Sequence, residues 1–381
     1  MAVKWPDGIW SAGIACGIKP GGAHDLGLIT FEVPSPWAGV FTLNAAAAAP
    51  VEWCREHLGA PVRAVVVNSG NANACTGSAG STAVATTTDA AAAAVGCSRD
   101  DVLVASTVPI GIPLPVDAIV TALPGAMQAR RAEVEPFAGA ITTTDTVIKT
   151  SSHAAGGANV VGVAKGAAMI APNMATMLAF LATDAAADTG LLHATLSPAV
   201  GRTFNRISVD ACESTNDSVF LFATGIAGRA HPDDLAKAVE AVCADLAEQI
   251  VSDAEGAGKV VRIRVAGAPT EDDAAAAGRA VAGSALWRAA VGGGDPNWGR
   301  VLAALGAADR SLDVTRISLS IGGVALFVDG EPTGALARAQ ATMAATEITV
   351  DCTVGSGPGA AEVLSADLTE EYVRLNAEGT S

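Results

Sequence analysis

The spacing of apolar residues along this chain changes repeatedly between the helical and the strand period. Between positions 232 and 252 the apolar residues recur every three or four positions, which places them on one face of a helix. Between 261 and 265 they alternate with arginine, as in a half-exposed strand. Because both periods occur in one chain, the sequence predicts a mixed α+β fold.

The same reasoning predicts further elements. Strands are expected at 62–67, 102–105, 317–321, 324–328 and 348–354, with a Gly322-Gly323 hairpin turn between the third and the fourth. Helices are expected at 81–95, at 116–132 with an interruption at Pro124, and at 271–291. The pattern becomes strand-rich near 256–259, so we expect two domains, 1–258 and 259–381.

Charge and composition argue against several classes of protein. The formal net charge of −16, with no basic cluster, disfavours nucleic-acid binding. Polar residues or proline interrupt every apolar stretch before ~18 residues, and no secretory signal begins the chain, so we expect a cytoplasmic protein without a membrane span. The seven cysteines form no Cys-x-x-Cys pair and no two histidines lie three to five residues apart, so we expect no metal site.

Three segments are candidates for chemistry. A polar stretch at 68–73 and another at 106–111 each follow a predicted buried strand, where sites are common and plain turns are equally common. The third segment, 162–181, sets Lys165 among small residues and continues as Pro-Asn-Met-Ala-Thr into an apolar run. Composition alone favours an unremarkable structure for it, in which Thr176 caps a buried helix and Lys165 faces solvent.

The third segment closely resembles the self-cleavage site of the ornithine acetyltransferase family, the bifunctional glutamate N-acetyltransferases of arginine biosynthesis. Other motifs of that family occur in family order over nearly the whole chain. They are Asn68-Ser69-Gly70-Asn71-Ala72-Asn73, Thr143-Thr144-Asp145, Ser214-Thr215-Asn216-Asp217, Asp295-Pro296-Asn297-Trp298-Gly299-Arg300, and Asp367-Leu368 with Tyr372-Val373 before Asn376.

The resemblance implies a fold and an activity. The fold is an αββα core of the self-processing N-terminal-threonine type in 1–258, with a smaller α/β domain whose C-terminal tail reaches the active site. Thr176 cleaves the chain after Ala175 and then carries an acetyl group from N2-acetylornithine to glutamate by a ping-pong reaction. The amine of the new N-terminus serves as base, so no histidine is needed. No cofactor is implied, acetyl-CoA is an alternative donor, and the assembly is an α2β2 heterotetramer.

The resemblance also assigns roles to individual residues. The Thr107 hydroxyl and the backbone N–H of Val108 are the expected oxyanion donors. Lys165 is expected to bind a substrate carboxylate, and Glu255 an ammonium group or the catalytic amine. The other substrate-binding residues by family match are Thr143, Thr176, Asn376 and Ser381.

Several positions depart from the family pattern. Val108 stands where glycine is usual, and because it is β-branched and precedes Pro109 we expect an extended backbone there rather than a positive φ. Gly258, Gly294 and Gly379 replace residues that commonly contact substrate. These departures leave open a paralogue that transfers or hydrolyses another acyl-amino compound in a secondary pathway.

Two further alternatives belong to other functional classes. One is an N-terminal-nucleophile aminopeptidase or amidase, which shares self-cleavage but passes the acyl group to water. The other is a catalytically inactive binding protein, which would remain a single uncleaved chain. The intact Ala175-Thr176 pair and the full set of acetyltransferase motifs argue against both.

Overall fold

The computed structural model describes residues 2–171 and 177–378. The strands of this part are β1 (Ile9–Ile14), β2 (Leu26–Ser35), β3 (Trp37–Phe41), β4 (Val62–Ser69), β5 (Val102–Thr107), β6 (Lys149–Ala155), β7 (Ala158–Lys165), β8 (Leu178–Ala185), β9 (Ile207–Ser208), β10 (Ser218–Gly228), β11 (Val260–Ala268), β12 (Ser318–Ile321), β13 (Val324–Val328), β14 (Glu331–Pro332), β15 (Glu347–Thr353) and β16 (Gly359–Ala366). The α-helices are α1 (Ala49–Glu56), α2 (Ser78–Val95), α3 (Val116–Ala129), α4 (Glu135–Ile141), α5 (Thr189–Arg202), α6 (Pro232–Ser252), α7 (Glu271–Ala282), α8 (Ala285–Gly292), α9 (Trp298–Ala308), α10 (Leu336–Thr342) and α11 (Glu370–Glu378).

Two sheets stack face to face and are covered by helices on their outer sides. The first sheet has the order β1-β2-β4-β5 and the second the order β3-β10-β8-β7-β6. Val65, Phe180 and Phe220 contribute to the apolar layer between the sheets. Helices α2 and α3 pack on the outer face of the first sheet, and α5 and α6 on that of the second. This is the αββα arrangement expected of the core.

Small residues allow the layers to approach closely. Gly162, in the middle of β7, faces α6, and a Cβ atom at this position would lie 2.5 Å from Val242 Cγ1 and 2.9 Å from Leu246 Cδ1. A larger residue would therefore require the side chains of Val242 and Leu246 to shift. Helix α6 itself begins with Pro232 and an acidic first turn, which favour a helix start.

A third sheet lies in the C-terminal part, with the order β14-β13-β12-β15-β11-β16-β9. It has its own core, in which Ile263 and Val350 are fully buried with Trp287. Every strand of this sheet begins at or after Val260 except the short β9. The division into domains 1–258 and 259–381 stays a prediction.

Most elements predicted from periodicity are present, and three details were wrong. The helix predicted over 271–291 is two helices, α7 and α8, because Ser284 starts a new one by accepting a hydrogen bond from Trp287 N (3.3 Å). Helix α3 continues through Pro124 without interruption. The apolar run after Thr176 is strand β8 rather than a buried helix, since its side chains fill cores on both faces of the second sheet.

Sheet pairing brings distant residues to one edge of the second sheet. Lys165 ends β7 opposite Leu178 in the antiparallel β8, and Leu178 is also paired with Ser218 at the start of the parallel β10. Residues Met177 and Asp217, which directly precede β8 and β10, therefore lie at the same edge as Lys165. In the first sheet, the parallel strands β4 and β5 end side by side, with Ser69 opposite Thr107.

Candidate active site

The backbone after β5 is held by bonds from the neighbouring loop. The carbonyl of Thr107 accepts hydrogen bonds from Gly70 N (3.0 Å) and Asn71 N (3.1 Å). Just before it, the carbonyl of Ser106 accepts one from Asn216 Nδ2 at 2.8 Å. The polar motif at 68–73 thus does more than turn the chain, because it fixes the position of Thr107.

Val108 has a left-handed backbone, with φ of +51°. Our expectation of an extended Val108 was wrong. The bonds on Thr107 O, and one from Ala72 N to Pro109 O at 2.9 Å, hold the backbone on both sides of this residue. They outweigh a conformational cost of about 1–3 kcal/mol for a non-glycine residue. Within residues 2–171 and 177–378 the N–H of Val108 has no hydrogen-bond acceptor, so it is available to a ligand.

Lys165 is buried beside Thr107. Its side chain is 2% exposed, so the expectation from composition that it faces solvent was wrong. Lys165 Nζ donates a hydrogen bond to Thr107 Oγ1 at 3.2 Å. Because the ammonium is the donor, the hydroxyl hydrogen of Thr107 is free to point at another acceptor. Burial lowers the pKa of Lys165, and the nearby Asp145 carboxylate opposes that shift.

Lys165 stands next to a buried ionic network centred on Lys149. Lys149 Nζ contacts Asp145 Oδ1 at 2.7 Å and Asp253 Oδ2 at 2.5 Å, and its side chain is fully buried. Asp145 also accepts hydrogen bonds from Thr143 N (3.0 Å) and Gly166 N (2.7 Å). Burial acts to raise the pKa of Asp145, but Lys165 and Lys149 hold it below its usual value. The network therefore keeps an ionised carboxylate between the loop of Thr143 and the end of β7.

A cavity of about 130 Å³ lies in front of these groups. The predicted site residues Val108, Thr143, Lys165 and Asn376 all line it. Thr107 adjoins it through its bond to Lys165. The structure thus brings together five of the residues singled out from the sequence.

The C-terminal helix α11 forms one wall of this cavity. Asn376 Nδ2 donates a hydrogen bond to Glu255 Oε2 at 3.1 Å, and Glu255 lines a second, adjoining cavity of about 510 Å³. Thr369 Oγ1 bonds to Gly256 O at 2.5 Å and ties the start of the helix to the loop after α6. Glu255 therefore lies beside the site and, among the described residues, contacts the smaller cavity only through the side chain of Asn376.

Two aspartates near the cavity, the half-buried Asp210 and the fully buried Asp217, were missed in the sequence, although Asp217 belongs to a quoted motif. Asp210 accepts hydrogen bonds from Met169 N (2.6 Å) and Ile170 N (2.9 Å) and fixes the cavity wall. Asp217 accepts one from Met177 N at 3.1 Å. Burial raises the pKa of both groups, and that of Asp217 far above its usual value. A polar residue just before an apolar strand was the available signal for Asp217.

Some of the predicted residues are not covered by the structure. Ala175, Thr176 and Ser381 lie outside the described residues, so the predicted nucleophile, cleavage position and terminal contact stay predictions. In the described ranges, no three histidine, cysteine, aspartate or glutamate side chains are grouped as metal ligands would be. No helix of this part has both the length and the apolar character to cross a membrane.

Comparison with known proteins agrees with the motifs. A model described as the ArgJ family matches residues 10–381. The chain is 44% identical over 379 residues to the arginine biosynthesis bifunctional protein ArgJ of Thermus thermophilus, with 99% of each covered. It is 41% identical over 382 residues to that of Thermobifida fusca, again with 99% of each covered.

A solved structure is also similar. The arginine biosynthesis bifunctional protein argJ of Bacillus halodurans matches with a TM-score of 0.50 at 36% identity, covering 51% of this chain and 96% of that one. These findings confirm the family resemblance that the motifs indicated. The chain belongs to the ArgJ family.

Proposed function

We propose that this chain is an acetyltransferase of arginine biosynthesis that cleaves itself and moves an acetyl group from N2-acetylornithine to glutamate. The observation that carries the proposal is the group formed by the Thr107 hydroxyl, the Val108 N–H, which has no acceptor among the described residues, and the buried Lys165 ammonium at one cavity. The relatives at 41–44% identity are named as bifunctional proteins of arginine biosynthesis. That name matches a protein that both takes acetyl from an ornithine derivative and supplies acetylglutamate.

Self-cleavage would come first. The hydroxyl of Thr176 attacks the carbonyl carbon of Ala175, the amide bond breaks, and the resulting ester is hydrolysed to chains 1–175 and 176–381. The Bacillus halodurans chain supports this step, because 96% of it corresponds to only 51% of the present chain. A chain of about half this length is what cleavage near the middle would leave.

Acetyl transfer would use the same hydroxyl. With the terminal amine of Thr176 as base, the hydroxyl oxygen attacks the acetyl carbon of N2-acetylornithine, ornithine leaves as the amine, and acetyl-Thr176 remains. The amine of glutamate then attacks this ester and regenerates the hydroxyl. Each step passes through a tetrahedral oxyanion, which hydrogen bonds from the Thr107 hydroxyl and the Val108 N–H would stabilise. The positive charge of Lys165, which is bonded to Thr107, would add to this stabilisation.

The cavity supports substrates that carry both signs of charge. Lys165 is a buried cation suited to a carboxylate, and Glu255 is an anion suited to the ammonium groups of ornithine or glutamate. Thr143 and Asn376 add polar contacts, and the C-terminal Ser381 is proposed to complete the site. No cofactor is needed for these steps, and acetyl-CoA remains an alternative donor. A cytoplasmic α2β2 assembly belongs to the same proposal.

The paralogue alternative loses part of its basis in the structure. One of its arguments was the expected change of backbone at Val108, and Val108 instead has the positive φ that glycine adopts easily. The N–H of Val108 can therefore point in the same direction as the N–H of a glycine at this position. The argument from Gly258, Gly294 and Gly379 is unaffected.

The first test is cleavage of the purified chain. The wild type should give chains of 175 and 206 residues, the second beginning Thr-Met-Leu by mass analysis. Thr176→Ala should stay at full length, because alanine has no nucleophilic oxygen. Thr86→Ala, which removes an exposed hydroxyl bonded within α2, is the matched control and should be cleaved normally. Splitting of Thr176→Ala at the same bond would refute the assignment.

The second test separates transfer from hydrolysis. Cleaved enzyme is supplied with N2-acetylornithine labelled in the acetyl group, with and without glutamate. We expect labelled acetylglutamate to form and free acetate to stay at background. Release of acetate at the same rate with or without glutamate would favour the amidase alternative.

A further inference from the structure

Asn216 is a buried amide that joins the two stacked sheets beside the candidate site. It lies just before β10 of the second sheet and is 4% exposed. Its Nδ2 donates hydrogen bonds to Ala72 O at 2.7 Å, in the loop after β4, and to Ser106 O at 2.8 Å, in β5 of the first sheet. Its Oδ1 accepts a hydrogen bond from Thr215 Oγ1 at 2.6 Å. Both N–H groups of this amide therefore hold carbonyl oxygens of the first sheet and its loop.

The two carbonyl groups held by this amide flank the proposed oxyanion donors. The carbonyl of Ser106 belongs to the same planar peptide group as the N–H of Thr107, so its position sets where Thr107 begins. On the other side, Ala72 N donates to Pro109 O at 2.9 Å, and Pro109 directly follows Val108. One side chain therefore holds the backbone before Thr107 directly and the backbone after Val108 through Ala72.

The same amide relates these donors to Lys165. Asn216 stands two residues before Ser218, and Ser218 and Lys165 are both paired with Leu178 at one edge of the second sheet. Lys165 reaches the first sheet through its hydrogen bond to Thr107 Oγ1 at 3.2 Å. Both contacts join the end of β5 to this edge, so loss of the Asn216 bonds would let Thr107 move relative to Lys165.

Asn68 and Asn71 are buried amides that act within the first sheet and its loops. Asn68 Oδ1 accepts a hydrogen bond from Ser106 Oγ at 2.6 Å, and Asn68 Nδ2 donates to Asn71 O at 2.7 Å. Asn71 Nδ2 donates to Ile112 O at 3.0 Å. These bonds keep the loops of the first sheet together, but they do not connect these loops to the second sheet.

We propose that Asn216 is a positioning residue for acetyl transfer, which aims the Thr107 hydroxyl and the Val108 N–H at the oxyanion. It is not among the described residues that line the cavity, so it would act through the backbone of the two loops. Misplaced donors weaken the stabilisation of the tetrahedral intermediate more than the binding of the ground-state substrate. The inference rests on the oxyanion role given to these donors in the proposed function.

The first variant is Asn216→Leu, which keeps the size and branching of the side chain and removes both N–H donors without adding a charge. Thr42→Val is the matched control. The buried Thr42 hydroxyl donates to Ser214 O at 2.7 Å and so holds the same loop, without touching either carbonyl group that Asn216 holds. Turnover of N2-acetylornithine with glutamate is measured on cleaved protein, and the free energy of unfolding is measured with denaturant.

We expect kcat of Asn216→Leu to fall about 10²-fold, as for a small displacement of groups at the reacting centre, with KM nearly unchanged. Thr42→Val should lose stability but keep the wild-type kcat. Wild-type kcat in Asn216→Leu, or an equal loss of kcat in Thr42→Val, would overturn the inference while the transfer activity of the wild type still upheld the proposed function. A wild type that forms no acetylglutamate would remove the proposed function and the inference with it.

A second variant decides the matter if Asn216→Leu does not fold. Asn216→Asp keeps the shape of asparagine, but its carboxyl group offers at most one proton to the two carbonyl oxygens, and none once it ionises. Its kcat relative to wild type at the same pH should therefore be lowered, and it should not recover as the pH rises. The titratable groups that face this region are Asp217 and Lys165, with Asp145 and Lys149 beside Lys165, and they are present in both proteins. Wild-type kcat in Asn216→Asp over the whole pH range would contradict the proposed role of the two N–H donors.

Discussion

Replacing Thr107 by valine removes one of the two proposed oxyanion donors while keeping the shape of the side chain. Thr107 is 1% exposed, and its hydroxyl receives the Lys165 hydrogen bond, so its own proton points into a region shielded from water. Donors in such an environment contribute about 2.7–4 kcal/mol each to transition-state stabilisation. Because Val108 N–H remains, we expect kcat to fall about 10²–10³-fold rather than to vanish.

The variant has a second effect, which must be measured separately. Lys165 loses the acceptor of its hydrogen bond, and an unsatisfied buried group costs about 1–3 kcal/mol of folding free energy, more when it is charged. Thr107→Ser keeps the hydroxyl and serves as the control for both effects. The unfolding free energy of each variant, measured with denaturant, shows how much of any loss comes from the fold.

The assay is turnover of N2-acetylornithine with glutamate by protein shown on a gel to be fully cleaved. A donor used only by the oxyanion lowers kcat and leaves KM nearly unchanged, since the ground-state substrate does not use it. Wild-type kcat in Thr107→Val would remove Thr107 from the mechanism. A raised KM with unchanged kcat would make Thr107 a substrate-binding residue instead.

Two further variants test the surroundings of this donor. Lys149→Met leaves Asp145 and Asp253 buried without their shared cation, and we expect the unfolding free energy to fall by about 3–5 kcal/mol; unchanged stability in a denaturant titration would contradict the ionic role. Val108→Gly removes the left-handed strain of valine but adds the flexibility of glycine, so we expect a small gain of up to about 1 kcal/mol in stability and an unchanged kcat. A tenfold loss of kcat would show that the valine side chain contributes to the cavity.

The fold was predictable where its signal is local. The spacing of apolar residues and the turn residues predicted β4, β5, α2, α6 and the β12–β13 hairpin. Each of these elements buries a face whose apolar residues recur at the period of that element. The run at the start of β8 misled us because it is apolar on both faces, and a strand buried on both sides resembles a buried helix segment in sequence.

The site was predictable only in part, because its contacts join distant positions. Lys149 and Asp253 are 104 residues apart, and Met177 and Asp217 are 40 apart. No local pattern marks such pairs, so the ionic network and the contact between Asp217 and Met177 emerged only from the structure. At Val108 the local rule pointed the wrong way, since bonds to Thr107 O from another loop override the preference of a β-branched residue.

The charges around Lys165 bear on the acetyl transfer proposed for this site. An oxyanion at Thr107 gains from the Lys165 ammonium only while that charge is not fully neutralised. Asp145 is ionised, but it divides its attraction between Lys165 and Lys149, and Lys149 also pairs with Asp253. A second ionised carboxylate at Asp217 would cancel the remaining positive field, whereas a neutral Asp217 preserves it. The burial that raises the pKa of Asp217 therefore favours a positive site for the oxyanion of the proposed acetyl transfer.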